Sequence, residues 1–467
     1  MIKLPKEVSG IINALESKGI KAYCVGDCVR LSLAGMDPLD WDVIALAPAL
    51  DTQSVLAGMG LERLELPEKE GDAFRVVFED KALAEAKEKA AAAAEYFGDD
   101  DDYDDEEAED DARSALLDPD RVREAMEVAA DNTIIVDIMA RDDVEGFLDS
   151  QKFTIMAMAD STSHGFIDPY DGRDDMAKRL IRPVGDASES FKAEPILMLK
   201  AITMVSELGY DLAKSTYEAI SANAAALAKV DVTLIRDEFI EMMGADNAGK
   251  ALRMLAACGL LPYILGPEVE KLGGRETKDM EELADNMDKT LNVAERRIGL
   301  FYLCLNKKKA HKAIDYLKYD ETMHQHFVDV VDHLIDLYFV ARSDKLMDFL
   351  ARYGLERYIY MHNVAKAQVN VYGAPDNRVQ GRIYMYKEIV GTKHPVYIED
   401  LAITGQDLVD AGIVPDDPEK IRKMLLMLTD VIHRDRKMNT KAKLMEKAKY
   451  FKKHKLGALL RNVEWQK

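Results

Sequence analysis

Asp40 and Asp42 flank a tryptophan in Asp40-Trp41-Asp42-Val43-Ile44-Ala45, a segment with strand character. On a strand, side chains two apart point to the same side, so both carboxylates face one way, as two hard oxygen ligands for a divalent cation do. A third acid, Asp137, sits inside the apolar run Thr133-Ile134-Ile135-Val136-Asp137-Ile138-Met139. Burial there is costly unless the carboxylate meets a cation or hydrogen-bond donors. The alternative is an edge strand with Asp137 facing water. Upstream of the pair, the turn Gly26-Asp27 and then Arg30 offer backbone amides and a guanidinium, the groups that hold a polyphosphate. Asp-x-Asp alone is a weak signal in a chain with 85 Asp and Glu; its conjunction with that turn and Arg30 is what singles it out.

The elements that must position these residues are legible in outline. Ala22-Tyr23-Cys24-Val25 reads as a buried strand, Cys28 to Ala34 as a helix stopped at Gly35, and Trp41 to Ala45 as the next strand. Phe74-Arg75-Val76-Val77-Phe78 predicts another strand, followed by an alanine-rich helix from Ala82 to Ala94. β character resumes at Thr133, so the stretch between reads as an insertion into an α/β unit. After Phe191 helical periodicity takes over, beginning with the stripe Ile196, Leu199, Ile202, Met204, Val205 and Leu208, which stops at Gly209. Further helices are expected around Leu234 to Met243, Ala248 to Cys258, Met280 to Leu291, Arg296 to Cys304, His311 to Leu317, His324 to Val340, Lys345 to Tyr353 and Pro418 to Ile432. No fixed repeat period marks a solenoid.

At 467 residues, 48% apolar and 31% charged, the chain is long enough for several domains with cores. No run is apolar enough to span a membrane, and Met1 to Lys6 lacks the apolar stretch of a signal peptide. Cys24, Cys28, Cys258 and Cys304 match no zinc or redox spacing and read as reduced thiols of a cytoplasmic protein. The net charge of −23 is uneven: 11 of the 13 residues from Asp99 to Asp111 are acidic, a solvated run. By contrast, Arg434 to Lys467 holds 12 Lys and Arg against 3 acids, with Tyr450, Phe451 and Trp465 among them. Such a segment is a nucleic-acid footprint, or else a solvated helix face or a tail folded against the protein's own acidic body.

Taken together, Val25-Gly26-Asp27-Cys28-Val29-Arg30 and Asp40-Trp41-Asp42-Val43 resemble the head motif of the class II CCA-adding enzymes and poly(A) polymerases, in the DNA polymerase β superfamily. The resemblance continues in order through Phe153 to Ala159, Ile167-Asp168-Pro169-Tyr170-Asp171-Gly172, Ile181 to Asp186, the neck segment Phe191 to Ala201, Ile235 to Phe239, Ala251 to Leu255, Gly259-Leu260-Leu261 and Leu401-Ala402-Ile403-Thr404-Gly405-Gln406-Asp407-Leu408. It implies an α+β head, a polymerase β-like mixed sheet with helices, followed by an all-α neck, body and tail. The expected divisions are a head over residues 1–190 with its insertion at about 80–130, a neck over 191–275, a body over 276–400 that is a degenerate His-Asp-like region, and a basic tail over 401–467. None of the nine histidines precedes an Asp, so a His-Asp phosphohydrolase activity is not expected, and His324 and His326 are expected at the surface. Met424 and Met427 are expected in a helix core.

The resemblance further implies transfer of CMP and AMP from CTP and ATP to the 3′ end of tRNA with two Mg2+ ions. Asp40 and Asp42 would hold the metals, Asp137 would orient a metal or help deprotonate the attacking hydroxyl, and Gly26, Asp27 and Arg30 would meet the triphosphate. Glu194 and Lys200 keep the chemical type of the base-reading neck motif, and Lys441, Lys443, Lys449, Lys452 and Lys453 are the candidate RNA-binding cations. The departures are specific. Asp27 stands where the family has its second glycine and Leu31 where it has Asp. Ser150-Gln151-Lys152 replaces the sugar-handling Arg-Arg-Asp, Met156 its partner Asn, and Leu197 a neck arginine. The alternatives are an A-adding RNA polymerase, an RNA-binding paralogue with weakened catalysis, and an interaction scaffold. If the acidic insertion competes for the basic tail, deleting Asp99 to Asp111 tightens RNA binding at low salt.

Overall fold

The structure, a computed structural model, describes residues 2–61, 64–65, 73–78, 134–269, 271–373 and 377–454. The alanine-rich segment, the acidic run and the residues after 454, Trp465 included, lie outside the described residues. The described chain divides into two compact units, one ending at Val269 and one after it.

The first unit opens with α1 (Lys6–Ser17), β1 (Ala22–Val25), α2 (Asp27–Leu33), β2 (Asp40–Ala45), α3 (Ala49–Gly58), β3 (Leu64–Glu65), β4 (Ala73–Phe78) and β5 (Ile134–Ala140). Then come α4 (Val144–Asp149), β6 (Ala159–Ser161) and β7 (Gly165–Ile167). These strands form one sheet in the order β3-β4-β5-β2-β1-β6-β7. Within the described pairs of this sheet only β2 and β5 run parallel; the others are antiparallel. Alternation along the strands gives the sheet two different faces. One buries Cys24, Trp41, Val43, Val136 and Ile138 under α1 and α3, with Val8, Ile11, Leu15 and Leu56. The other buries Tyr23, Val25, Ile44 and Met139 with Val144 and Leu148 of α4. That second face also carries Asp40, Asp42 and Asp137, so one end of it is packed and the other is acidic.

A helical stretch completes the unit: α5 (Gly172–Lys178), α6 (Ala187–Ala193), α7 (Leu197–Leu208), α8 (Lys214–Asn223), α9 (Val232–Gly244), α10 (Ala248–Ala257) and α11 (Leu261–Leu265). Short strands β8 (Leu180–Ile181) and β9 (Asp211–Leu212) pair in parallel. The neck stripe becomes α7, which ends as expected at Gly209, left-handed at φ 63°.

The second unit is helical throughout its described elements, with α12 (Gly274–Asn286), α13 (Ala294–Leu303), α14 (Lys307–Leu317), α15 (Glu321–Tyr338) and α16 (Ser343–Tyr353). It continues with α17 (Leu355–Tyr372), α18 (Asn377–Gly391), α19 (Gly405–Asp410), α20 (Pro418–Arg434) and α21 (Lys441–Lys453). Helices α17 and α18 are not evident from the sequence. Tyr358, Tyr360, Met361, His362, Val364, Ala365, Ala367 and Val371 are buried over a wide arc of α17 that includes a histidine and two tyrosines, while Ile359 sits on the less covered face with Glu356, Asn363, Lys366 and Asn370, so the apolar stripe that periodicity detects is blurred. The expectation of surface histidines fails for His326: it is 8% exposed, hydrogen-bonded to Glu295 at 2.5 Å and stacked on Tyr360 at 4.4 Å. His324, paired with Asp315, is half-buried. Met424 belongs to the core of the C-terminal helices, and all four cysteines are buried and free of disulfides. No described helix is long and apolar enough to cross a membrane.

Candidate active site

The acids meet because of strand register. In the parallel β2–β5 ladder Asp42 is directly opposite Asp137, and in the antiparallel β4–β5 ladder Arg75 is opposite Asp137, so the three form a row across three strands. Trp41 anchors the row from the other face: it is 1% exposed, and its indole N–H donates to the Pro38 carbonyl at 3.0 Å. Apolar burial at Trp41 and Val43 therefore forces Asp40 and Asp42 outward together, Asp40 exposed and Asp42 half-buried.

Asp137 is on an interior strand and buried, so the edge-strand alternative does not apply. Its carboxylate takes a bidentate pair of hydrogen bonds from Arg75, Nε to Oδ1 at 2.8 Å and Nη2 to Oδ2 at 2.9 Å. The hydrogen bond to Asp137 raises the Arg75 pKa above its ordinary value, and the charges of Asp137, Asp40 and Asp42 add to the effect against burial. Sequence reasoning assigned Arg75 to a strand and gave it no role. The only signal was a cation inside an apolar run, and its partner lies 62 residues away.

Gly26 ends β1 at φ 70°, a conformation a side chain resists, and its N–H donates to Met158 O at 3.2 Å. α2 starts there. Its Arg30 is buried, and Nε and Nη2 both meet Oδ1 of Asp27, at 2.6 and 2.5 Å. Thus Asp27 is an ion-pair partner of the arginine beside it.

A cavity of about 360 Å³ opens next to this pair, with walls from α2 (Asp27, Arg30), the 151–156 segment (Lys152, Met156), α7 (Lys200, Glu207) and α9 (Glu238, Glu241). Lys200 approaches Glu238 at 3.7 Å. Glu194 is not among the lining residues; it holds Lys152, which is, at 2.7 Å. Burial, then the charge of and a hydrogen bond with Glu241, push Glu207 up to about 7, with Arg30 opposing. Burial likewise raises Glu238, against Thr203 and Lys200. Glu207, Glu238 and Glu241 were not anticipated; Lys200 and Glu207, seven apart on one helix, gave the available hint of a shared polar face.

The segment from Phe153 is fixed by a buried relay. Thr154 donates to Asp175 at 2.6 Å, Arg182 donates to the same carboxylate at 2.9 Å, and Asp168 accepts from the N–H groups of Gly172 and Arg173 at 2.7 and 3.0 Å. Gly172 is required here by close approach, since a Cβ would lie 2.2 Å from Thr154 O.

The five candidate RNA-binding lysines all fall on α21, but not alike. Lys441 pairs with Asp407 at 2.6 Å, Lys443 donates to Lys437 O at 2.7 Å, and Lys452 donates to Gly412 O. Lys449 and Lys453 are exposed and, four apart, share a face with Tyr450 near it. Asp407 itself closes a capping box with Thr404, so the Leu401 to Leu408 segment has a structural task.

Among the described residues no three His, Cys, Asp or Glu are grouped to hold a metal ion. Asp40 and Asp42 nevertheless fit magnesium, which takes one or two carboxylates and completes its shell with water and substrate phosphate.

Residues 209–272 match a family described as the probable RNA and SrmB-binding site of polymerase A. The chain is 30% identical over 271 residues to the CCA-adding enzyme of Geobacillus stearothermophilus, covering 58% of this chain and 56% of that one. It is 35% identical over 128 residues to the CC-adding tRNA nucleotidyltransferase of Halalkalibacterium halodurans, covering 27% and 34%. The matches thus span about half, or less, of the curated relatives' length. Among solved structures, the Bacillus stearothermophilus CCA-adding enzyme in complex with CTP superposes with a TM-score of 0.68 at 22% identity, covering 96% of this chain and 98% of that one. The Thermotoga maritima CCA-adding enzyme complexed with tRNA gives 0.56 at 16% identity, covering 98% and 96%. The chain is thus similar in sequence to CCA-adding enzymes over these segments and shares their fold, an α+β head followed by a helical remainder.

Proposed function

We propose that the chain is a template-independent nucleotidyltransferase that adds CMP and AMP to the 3′ end of tRNA, using CTP and ATP with two Mg2+ ions. The observation that carries this reading is the row Asp42–Asp137–Arg75 with Asp40 beside it, on the sheet face that packing leaves acidic. Asp40 and Asp42 would hold magnesium, which supplies charge neutralisation for the phosphate oxygens and the leaving pyrophosphate. Asp137, held in one orientation by two hydrogen bonds from Arg75, keeps a fixed negative charge beside Asp42. Gly26 turns the chain into α2, and Arg30 on that helix is a cation for the polyphosphate. Lys152 and Lys200 border the cavity in which the rest of the nucleotide lies, and Lys449 and Lys453 meet RNA phosphates. The division into head, neck, body and tail and a cytoplasmic setting belong to the same proposal.

The pairing of Arg30 with Asp27 favours a second reading, an RNA-binding paralogue of weak catalysis. Incorporation of labelled CTP and ATP into tRNA lacking its CCA end, compared between wild type and Asp40→Ala/Asp42→Ala, separates the two. Incorporation abolished in the double variant supports the enzyme; salt-sensitive tRNA binding with no incorporation, in magnesium or manganese, supports the binder.

A further inference from the structure

The cations around the cavity share one property: each is already engaged by an acid of the chain. Arg30 is on Asp27 at 2.5 Å, Lys152 on Glu194 at 2.7 Å and Lys200 near Glu238 at 3.7 Å. The three pairs are not equivalent. Lys152 and Lys200 are about half exposed and solvent screens their pairs, whereas the Arg30 side chain is 8% exposed. A buried guanidinium without a counter-charge is unfavourable, so some anion must accompany it. Asp27 supplies that anion from the surface side, with its own side chain 45% exposed. Both Nε and Nη2 converge on a single oxygen, Oδ1. Asp27 is the first residue of α2, and the Gly26 backbone before it adopts φ 70° and leaves open space at its Cα. An anion arriving over that turn meets the Asp27 carboxylate before it meets Arg30.

We propose that Asp27 is an intramolecular stand-in for a nucleotide phosphate: it occupies Arg30 in the free protein and must be exchanged for the incoming polyphosphate, so nucleotide affinity is set by this exchange. The inference rests on the nucleotide-binding reading above and adds to it a residue that lowers affinity. Exchange has two costs for the ligand. One ion pair is broken as another forms, and the displaced carboxylate remains beside the bound phosphates as a like charge. What the exchange preserves is a buried arginine that is never without a partner, so its orientation persists through the nucleotide-free state.

The test uses the full chain with Asp27→Asn, and Asp27→Gly as a second variant that also removes the amide. Binding of ATP and of inorganic tripolyphosphate is measured by equilibrium dialysis without magnesium, alongside thermal denaturation. The expected result is affinity raised about tenfold in both variants and for both ligands, while the melting temperature falls by roughly 1–3 °C as an ion pair is lost. A purely structural Asp27 would move both quantities down together. Unchanged or weaker binding, or binding in neither protein, overturns the proposal. The nucleotidyltransferase reading fails separately. Tripolyphosphate binding that tightens in the variants without any incorporation into tRNA keeps the exchange and rejects the enzyme. Incorporation with a KM for CTP and ATP unmoved by Asp27→Asn keeps the enzyme and rejects the exchange.

Discussion

Replacing Arg75 with methionine keeps the aliphatic stem on β4 and deletes the guanidinium that holds Asp137. Asp137 then loses two charge-assisted hydrogen bonds, at 2.8 and 2.9 Å, while its side chain stays 8% exposed. Removing one partner of a buried ion pair costs about 3–5 kcal/mol. Arg75 is 36% exposed, so water can reach part of the vacated position, and the expected cost is discounted to about 2–3 kcal/mol. Asp137→Asn alone should cost less, about 1 kcal/mol, because the arginine left behind can turn to solvent. The double variant should therefore lie well short of the sum, with a coupling of about 1–2 kcal/mol. The assay is urea unfolding followed by Trp41, which is 1% exposed in the same sheet, in a Trp465→Phe background that leaves one reporter. A loss below about 0.5 kcal/mol for Arg75→Met, or strict additivity in the double variant, would refute the account of Asp137 as a buried carboxylate held by Arg75.

Gly172→Ala should shift the Phe153 to Met156 segment, because its Cβ would meet Thr154 O at 2.2 Å. It is expected to destabilise the protein by about 2 kcal/mol or more and to weaken nucleotide binding, and a melting temperature within 1 °C of wild type, roughly 0.3 kcal/mol, would contradict that. Glu207 has a folded pKa near 7, raised chiefly by burial and by Glu241, so the folded state holds its proton more tightly than the unfolded chain does. Its favourable contribution is complete below about pH 4.5 and is lost as pH rises through 7. Glu207→Gln should consequently match wild type at pH 4.5 and exceed it increasingly up to pH 8, read as the urea midpoint; a gap independent of pH would rule out titration at Glu207 as its source.

What the sequence made legible follows the range of the interactions involved. Asp40 and Asp42 share a face because the strand period is two, and that is a local rule visible in three residues. Gly26 and Gly209 likewise mark turns whose backbone the residue type dictates. Arg75 and Asp137 were each visible, one as a cation in an apolar strand and the other as an acid in one, yet their pairing depends on a register across residues 79–133, which no local pattern encodes. Asp175 and the acids of α9 are in the same position: what gives them meaning is a contact 21 to 35 residues away, in a loop or on a crossing helix. α17 was missed for a different reason: its buried arc carries His362 and tyrosines and its open face carries Ile359, so apolar and polar types do not segregate along it.

The departures from the family pattern acquire a common physical sense once the pairs are in place. A negative residue at Asp27 would be expected to repel phosphate, but its carboxylate is at 2.5 Å from Arg30 and screens it. In the same way Lys152, standing where the resemblance has an aspartate, is answered by Glu194 at 2.7 Å. Each new charge therefore has a partner within reach, and the net field at the cavity mouth changes less than the residue identities do. Neutralised pairs of this kind respond to ligand by exchange rather than by simple attraction, so salt should weaken nucleotide binding here less steeply than at a site of unpaired cations, whose attraction to phosphate is screened directly. Titrating ATP against wild type and Asp27→Asn from 50 to 300 mM KCl measures that difference: a steeper salt slope in the variant follows from exchange, and parallel slopes would mean that Arg30 meets phosphate without surrendering Asp27.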